Sequence, residues 1–282
     1  MNLEVDDKLD NKSQAKSQRG NKPKRNKNFE ELPEAIVSQK KAYSLFSDTK
    51  EYQENNYDSE KDDDFLIKFD EELDFKSDVK GVDLVFLLDT TGSMNPYLKG
   101  SKLFIRKTIR DAIRCITQYK LDSDDFLRLA LVCYRDHPPQ GKSTGNFTID
   151  FTSEHVKFKE ILKSINAKGG GDICEGVLDG LDDVVNTLTW RQDSEKLLFH
   201  ILDAPPHGAE FEGEKDGFTD GCPCGKNHED ILLEMREKEI DYTIIKLDKS
   251  IDKMIEVFSN FIEIDVLTLE IEKDNKNADQ SG

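Results

Sequence analysis

Two apolar runs of strand length, each closing on an aspartate, constrain this chain more than any other feature. Val82-Asp83-Leu84-Val85-Phe86-Leu87-Leu88 runs into Asp89, and Lys196-Leu197-Leu198-Phe199-His200-Ile201-Leu202 runs into Asp203. Near-continuous Leu, Ile, Val and Phe suit a strand buried on both faces, and such strands belong to parallel sheets covered by helices. Between and beyond them, Leu98, Phe104, Ile105, Ile109, Ile113 and Ile116 recur at helical spacing, with Pro96 at the start. Phe126–Tyr134 reads as the next strand. Phe147–Phe151 alternates after a short loop, which suits an antiparallel edge strand. Helices over Ser153–Ile165 and Glu175–Leu188 flank Gly169-Gly170-Gly171. A helix over Glu229–Lys238, a strand over Tyr242–Leu247, a helix over Ile251–Phe258 and a strand over Ile264–Ile271 complete the order. The alternation predicts an α/β fold, a doubly wound and mostly parallel sheet with helices on both faces and one antiparallel edge strand.

This domain is expected over residues 81–272. Residues 1–28 are basic and polar and read as a disordered tail; residues 29–80 are acidic with scattered apolar side chains such as Phe29, Tyr43, Phe65 and Phe69, and read as a low-order linker. Residues 273–282 read as a second disordered tail. The net charge of -18, from 58 acidic against 40 basic side chains, repels a phosphate backbone and argues against a nucleic-acid partner. The N-terminus lacks the apolar stretch of a signal sequence, and no run is long enough to insert into a membrane. Five cysteines form an odd set without a secretory signal, so reduced thiols and a cytoplasmic location are expected.

In an open parallel sheet, ligands gather at the carboxyl ends of the strands. Asp89 and Asp203 both fall at that edge, and the loop Gly169–Asp172 should reach it. Asp89, Thr91 and Ser93 stand at i, i+2 and i+4, so one turn aims three oxygens inward while Gly92 lets the backbone bend. Carboxylates and hydroxyls without nearby His or Cys select a hard divalent cation, here Mg2+ or Mn2+.

Asp89-Thr90-Thr91-Gly92-Ser93-Met94 resembles the DxTxS signature of the von Willebrand factor type A domain. The resemblance implies a Rossmann-like sheet carrying a metal-ion-dependent adhesion site. It assigns the first loop to Asp89, Thr91 and Ser93, the second to the Gly169–Asp172 loop and the third to Asp203. The second loop of the family usually supplies Thr, yet no Ser or Thr occurs between Ser164 and Thr187. An acidic residue must serve there; Asp172 is the natural candidate, with Glu175 behind it. Three negative ligands leave a less electrophilic ion, so a partner's carboxylate gains less than it would beside a neutral Thr. Tyr134-Arg135-Asp136-His137, Gly169-Gly170-Gly171-Asp172 and Asp203-Ala204-Pro205-Pro206-His207-Gly208 resemble, within the family, the type A domain of the alpha-protein kinases and its hemicentin-like intracellular relatives. The kinase domain itself is not expected within these 282 residues.

Other polar residues admit plainer readings. Asp136 ends a strand and would either support the ion from behind or bind backbone amides in the Pro138-Pro139 turn. His207 belongs to the rim, where a loop histidine is ordinarily inert. Cys222-Pro223-Cys224 with His228 falls short of a four-ligand zinc site unless His207 folds back as the fourth. Cys115 and Cys133 sit in apolar runs and read as core. Trp190 reads as edge packing or a partner contact.

The expected function is that of a non-enzymatic, intracellular binding module that presents a metal face to a protein partner. Loops 134–146 and 204–228 would form its rim. The alternative is a regulatory component of alpha-kinase-type signalling. A metal-dependent hydrolase would need a nucleophile or a cationic phosphate clamp that the sequence does not place.

Overall fold

The computed structural model describes residues 80–118, 126–139, 146–211 and 216–269. The tails and linker expected over 1–28, 29–80 and 273–282 lie outside these residues, Lys80 excepted. Six strands, β1 (Gly81–Asp89), β2 (Leu127–Tyr134), β3 (Phe147–Thr152), β4 (Ser194–Leu202), β5 (Ile240–Lys246) and β6 (Ile264–Thr268), form one sheet in the order β3-β2-β1-β4-β5-β6. Every pairing is parallel except β2 with β3, the expected antiparallel edge.

The period-2 side-chain alternation of a strand divides β1 between two cores. Leu84, Phe86 and Leu88 join Phe199 and Ile201 beneath helices α1 (Leu98–Gln118) and α2 (His155–Ser164), through Ile105, Ile109, Phe158 and Leu162. Val85 and Leu87 join Val132 and Leu198 on the opposite face. There α3 (Val177–Asp182), α4 (His228–Glu237) and α5 (Asp252–Phe258) contribute Leu181, Leu232, Met235 and Phe258. Cys115 and Cys133 are buried core residues, as expected. Trp190 is an edge-packing residue: its ring meets Phe151 at 4.8 Å and its indole N–H donates to the Val184 carbonyl at 2.8 Å. Among the described residues no helix is long and apolar enough to cross a membrane.

Two differences from expectation lie close to the ends of β1 and β4. The helix expected from Glu175 begins at Val177 and passes into a π-helical turn over Asp183–Thr187. Glu175 is instead paired as an isolated parallel bridge with Pro206, its N–H donating to the Pro205 carbonyl at 2.9 Å. Tertiary pairing draws it out of the helix and into the loop cluster. Pro96 lies in the turn between a short 3-10 segment, Gly92–Met94, and the start of α1.

The strand order reverses between β1 and β4, since the chain leaves β1 towards β2 on one side and builds β4, β5 and β6 on the other. A crevice opens at such a switch point beyond the carboxyl ends of the strands. The register pairs Leu88 with Ile201, so Asp89 and Asp203 emerge side by side at that crevice.

The opposite end of β1 carries a closed charge cluster. Asp83, interrupting the apolar run, is fully buried. It accepts two hydrogen bonds from Arg128 (2.9 and 2.7 Å), two from the Arg191 guanidinium (2.9 and 2.7 Å), and one each from Arg191 N (2.9 Å) and Ser194 Oγ (3.1 Å). Burial alone would raise its pKa, but the bonds from Arg128 and Arg191 outweigh it and hold the carboxyl below the ordinary range. Removing the carboxylate leaves two guanidinium groups without their shared anion, so Asp83→Ala should cost about 3–5 kcal/mol in urea unfolding. A loss within experimental error of zero would show that the cluster is not structural.

A second buried polar group lies inside the sheet. His200 is fully buried between Tyr134 Oη at 3.0 Å and Tyr242 Oη at 2.7 Å, and burial pushes its pKa down to about 3. A folded-state value below the ordinary 6.5 means that the unfolded chain binds the proton more readily. The stability of the neutral form is therefore complete above pH 6.5 and declines as pH falls below it. His200→Gln should be less stable than wild type at neutral pH, with the gap narrowing as pH falls below 6.5 in thermal denaturation. A gap independent of pH would contradict this assignment.

Candidate metal centre

Three loops meet at the β1/β4 crevice and are tied together through backbone hydrogen bonds. Gly92 N–H donates to the Gly169 carbonyl at 2.8 Å, and Lys168 N–H donates to the Thr90 carbonyl at 2.8 Å, fastening the first loop to the second. A Cβ on Gly92 would stand 2.7 Å from that Gly169 oxygen, so only glycine permits the approach. Gly170 adopts φ +81°, and a Cβ there would meet Glu175 Oε1 at 2.8 Å. The bond from Glu175 N–H to Pro205 then links the second loop to the third. Behind the third loop, Ser250 Oγ donates to the Asp203 carbonyl at 2.5 Å.

Within this frame runs a continuous string of oxygens. Asp89 Oδ1 accepts from Thr91 N–H at 2.8 Å and Thr91 Oγ1 at 2.7 Å. Thr91 Oγ1 lies 3.1 Å from Ser93 Oγ, which donates to Asp203 Oδ1 at 2.9 Å. Asp89 and Thr91 are fully buried, Asp203 nearly so, and Ser93 is exposed, so the string runs from solvent into the sheet edge. The expected residues Asp89, Thr91, Ser93 and Asp203 are thus brought together.

The two acids of the second loop, Asp172 and Glu175, lie within one another's field. Asp172 Oδ2 accepts from Gly217 N–H at 2.6 Å, and the charges of Asp136, His207 and Asp216 also act on it. Glu175, buried, lies beside Thr91, within the field of Asp89 and Asp136. Asp136 is also buried; its Oδ1 accepts from His137 N–H at 2.6 Å and meets His207 Nε2 at 2.9 Å.

His207 is not the exposed loop histidine that the sequence suggests. It is buried between Asp136 and Asp216, with Nδ1 2.7 Å from Asp216 Oδ1. Burial lowers its pKa, but hydrogen bonds to the two carboxylates outweigh that and hold it above 6.5. Asp216 also accepts from Gly208 N–H at 2.5 Å and Phe218 N–H at 2.8 Å, which folds the third loop back over His207. Sequence reasoning missed Asp216, since an Asp in a Gly-rich polar loop carries no local mark of its partner. Of the expected rim, residues 140–145 and 212–215 lie outside the described residues.

The fit of a cation rests on what these acids lack. Asp89 Oδ2, Glu175 Oε2, Asp136 Oδ2 and Asp172 Oδ1 are buried without a hydrogen-bond partner. Burial first, and then the neighbouring charge of Asp203, drives the Asp89 pKa upward; burial and the charge of Asp89 do the same for Glu175. Orphaned buried carboxylate oxygens are costly, and a divalent ion is the group that removes the cost without a protein donor. The donor set is all oxygen, which fits a hard cation.

The model of the von Willebrand factor A domain matches residues 83–214. Alpha-protein kinase vwkA of Dictyostelium discoideum is 30% identical over 197 residues, which cover 70% of this chain and 29% of that protein. The chain therefore spans under a third of the length of this curated relative. Among solved structures, proximal thread matrix protein 1 from the mussel byssus, described with a zinc-occupied MIDAS motif, is 13% identical with a TM-score of 0.43, covering 67% of this chain and 41% of that one. The conserved hypothetical protein BatB from Bacteroides thetaiotaomicron is 17% identical with a TM-score of 0.37, covering 60% and 66%. Residues 83–214 thus carry a von Willebrand factor A domain.

Buried carboxylate oxygens without partners lower the stability of the metal-free chain. Asp89→Asn retains an oxygen for the two Thr91 donors and places an amide N–H₂ where the orphaned Oδ2 lies. In EDTA this variant should unfold at a higher temperature than wild type, by about 1–3 kcal/mol of stability. Equal or lower stability would show that Asp89 Oδ2 is already satisfied.

Proposed function

We propose that the crevice between β1 and β4 is a metal-ion-dependent adhesion site binding Mg2+ or Mn2+, and that the domain is an intracellular, non-enzymatic module presenting this face to a protein partner. The observation that carries the reading is the set of four orphaned, buried carboxylate oxygens, on Asp89, Glu175, Asp136 and Asp172, gathered at the loops that carry the Thr91 and Ser93 hydroxyls. Asp89, Thr91, Ser93, Asp203 and Glu175 would hold the ion. Glu175 takes the place in the second loop for which Asp172 is the sequence candidate, because Glu175 shares the field of Asp89 and stands beside Thr91. Asp172 ties the second loop to Gly217, and Asp136, held by His207, supports the site from behind.

When bound, the ion supplies an electrophilic point at the mouth of the crevice, next to the exposed Ser93, for an oxygen ligand from a partner. Three carboxylates on a divalent ion leave it close to charge-neutral or negative, so the site favours a partner that offers neutral oxygens together with basic groups matched to a chain of net charge -18. That field also disfavours nucleic acid. The similarity to an alpha-protein kinase favours a second reading, in which the module serves as a regulatory component of such signalling.

Calorimetric titration of Mg2+ and Mn2+ into the EDTA-treated chain should show saturable binding that Asp89→Ala and Glu175→Gln each weaken by at least about tenfold. Proteins retained on the immobilised chain in Mg2+ should be released by EDTA and absent from the Asp89→Ala column. Retention of the same proteins by Asp89→Ala would contradict a metal-dependent contact, and unchanged Mg2+ affinity in Glu175→Gln would contradict the second-loop assignment.

A further inference from the structure

Outside the crevice, a second group of ligand-type side chains converges from three distant parts of the chain. His137 follows β2, Asp179 lies on α3, and Cys222 and Cys224 come from the loop between β4 and α4. His137 Nε2 lies 2.9 Å from Asp179 Oδ2 and 3.5 Å from Cys222 Sγ; Cys222 Sγ lies 3.3 Å from Asp179 Oδ2; Cys224 Sγ lies 3.7 Å from His137 Nδ1, the other ring nitrogen. One ligand atom from each of the four residues falls within 4.8 Å of every other. We propose that His137, Asp179, Cys222 and Cys224 form a zinc site distinct from the oxygen-lined crevice.

The spacing suits a tetrahedral ion. Zn–S bonds of about 2.3 Å and Zn–N or Zn–O bonds of about 2.0–2.1 Å place tetrahedral sulfur and nitrogen or oxygen ligands about 3.5 Å apart. With Nε2 as the His137 ligand atom, the Cys222 contacts of 3.3 and 3.5 Å lie close to that value, so zinc enters with small side-chain shifts that draw in Cys224, whose sulfur lies within 4.8 Å of the other ligand atoms. The chemistry is selective as well. Two sulfurs and an imidazole are soft and borderline donors that prefer zinc to Mg2+, whereas the crevice offers oxygen alone. The chain therefore carries two centres sorted by ligand softness.

His228 and His207, the histidines that the sequence offers to the Cys222-Pro223-Cys224 stretch, are both engaged elsewhere. His228 Nδ1 pairs with Glu210 at 3.3 Å and its ring packs against Phe211, Phe258 and Phe261, while His207 bridges Asp136 and Asp216. The ligands that complete the set, His137 and Asp179, come from elements that only the fold brings alongside. Cys222 is buried and Cys224 exposed, which gives the ion a route in. Lys226, paired with Asp182, places a positive charge in the field of Asp179 and offsets the negative charge that two thiolates and a carboxylate leave on a divalent ion.

Bound zinc would clamp the third loop to β2 and α3. That loop carries Asp216, which holds His207 against Asp136 behind the crevice, so the soft site would fix the rim of the hard one.

The test is zinc content and cobalt replacement in the full 282-residue chain, purified from zinc-supplemented medium without chelator and washed in excess Mg2+. About one zinc per chain should remain, be retained by Asp89→Ala, and be lost from the Cys222→Ser/Cys224→Ser variant. Cobalt loaded into the wild-type chain should give sulfur-to-metal charge-transfer absorption and the intense visible bands of a tetrahedral complex, a readout that requires no variant to fold. Asp179→Asn should weaken those bands while sparing Mg2+ binding. A weak octahedral cobalt spectrum, zinc lost with Asp89→Ala but kept by the cysteine variant, or a Cys222–Cys224 disulfide in freshly isolated protein would each overturn the proposal.

Discussion

Strand β1 carries a buried aspartate near each end, and the contrast between them organises the molecule. At one end Asp83 is enclosed by Arg128, Arg191 and Ser194, and each of its oxygens is satisfied. At the other end Asp89 faces further acids, Asp203, Asp136 and Glu175, and one of its oxygens has no partner. Both ends have the same burial and the same ionisable group, but only the first is neutralised by the protein. Burying a charge without a counter-charge is among the most expensive arrangements available to a fold. A chain that keeps several acids together at the switch point of its sheet leaves a place for a cation to supply what the protein withholds.

That place is made rigid by ordinary backbone chemistry. The parallel sheet delivers Asp89 and Asp203 to adjacent strand ends, and the loops beyond them are fixed by bonds from Gly92 to Gly169, Lys168 to Thr90 and Glu175 to Pro205. Pre-fixed ligands lose little conformational entropy when an ion or partner arrives. The hydrogen-bonded row Asp136–His207–Asp216 extends the order outward, so the rim is joined to the crevice through a positively shifted histidine between two acids. The face combines an exposed hydroxyl, a buried anionic floor and a tied-down loop.

Much of this was legible in the sequence because its signals are local. A strand-length apolar run ending in Asp, followed by hydroxyls at i+2 and i+4, encodes a strand, a turn and three inward oxygens within a dozen residues. The mostly parallel sheet, the antiparallel edge and the two helical layers follow from the alternation of such runs. What escaped was set by contacts between distant segments. Glu175 opens a stretch with a continuous helical pattern, and only its pairing with Pro206 removes it from the helix and sets it beside Thr91. Asp172 sits in a stretch that reads as a ligand loop; one of its oxygens accepts from Gly217 N–H, a contact between distant segments, and the other has no partner. His207 reads as exposed because its cover, Asp216, returns through a loop with no periodicity. Asp83 did leave a trace, a lone charge inside an apolar strand, which demands a buried partner wherever it occurs.

The central claim is that a divalent ion belongs among Asp89, Thr91, Ser93, Asp203 and Glu175. Anomalous diffraction from crystals grown in Mn2+ tests it most directly, because the scattering locates the ion without reference to any partner. The account predicts a strong anomalous peak within coordination distance of Ser93 Oγ and of the Asp89, Asp203 or Glu175 carboxylates. A crevice without anomalous density at saturating Mn2+, with Asp89 Oδ2 instead bonded to a protein donor, would contradict it.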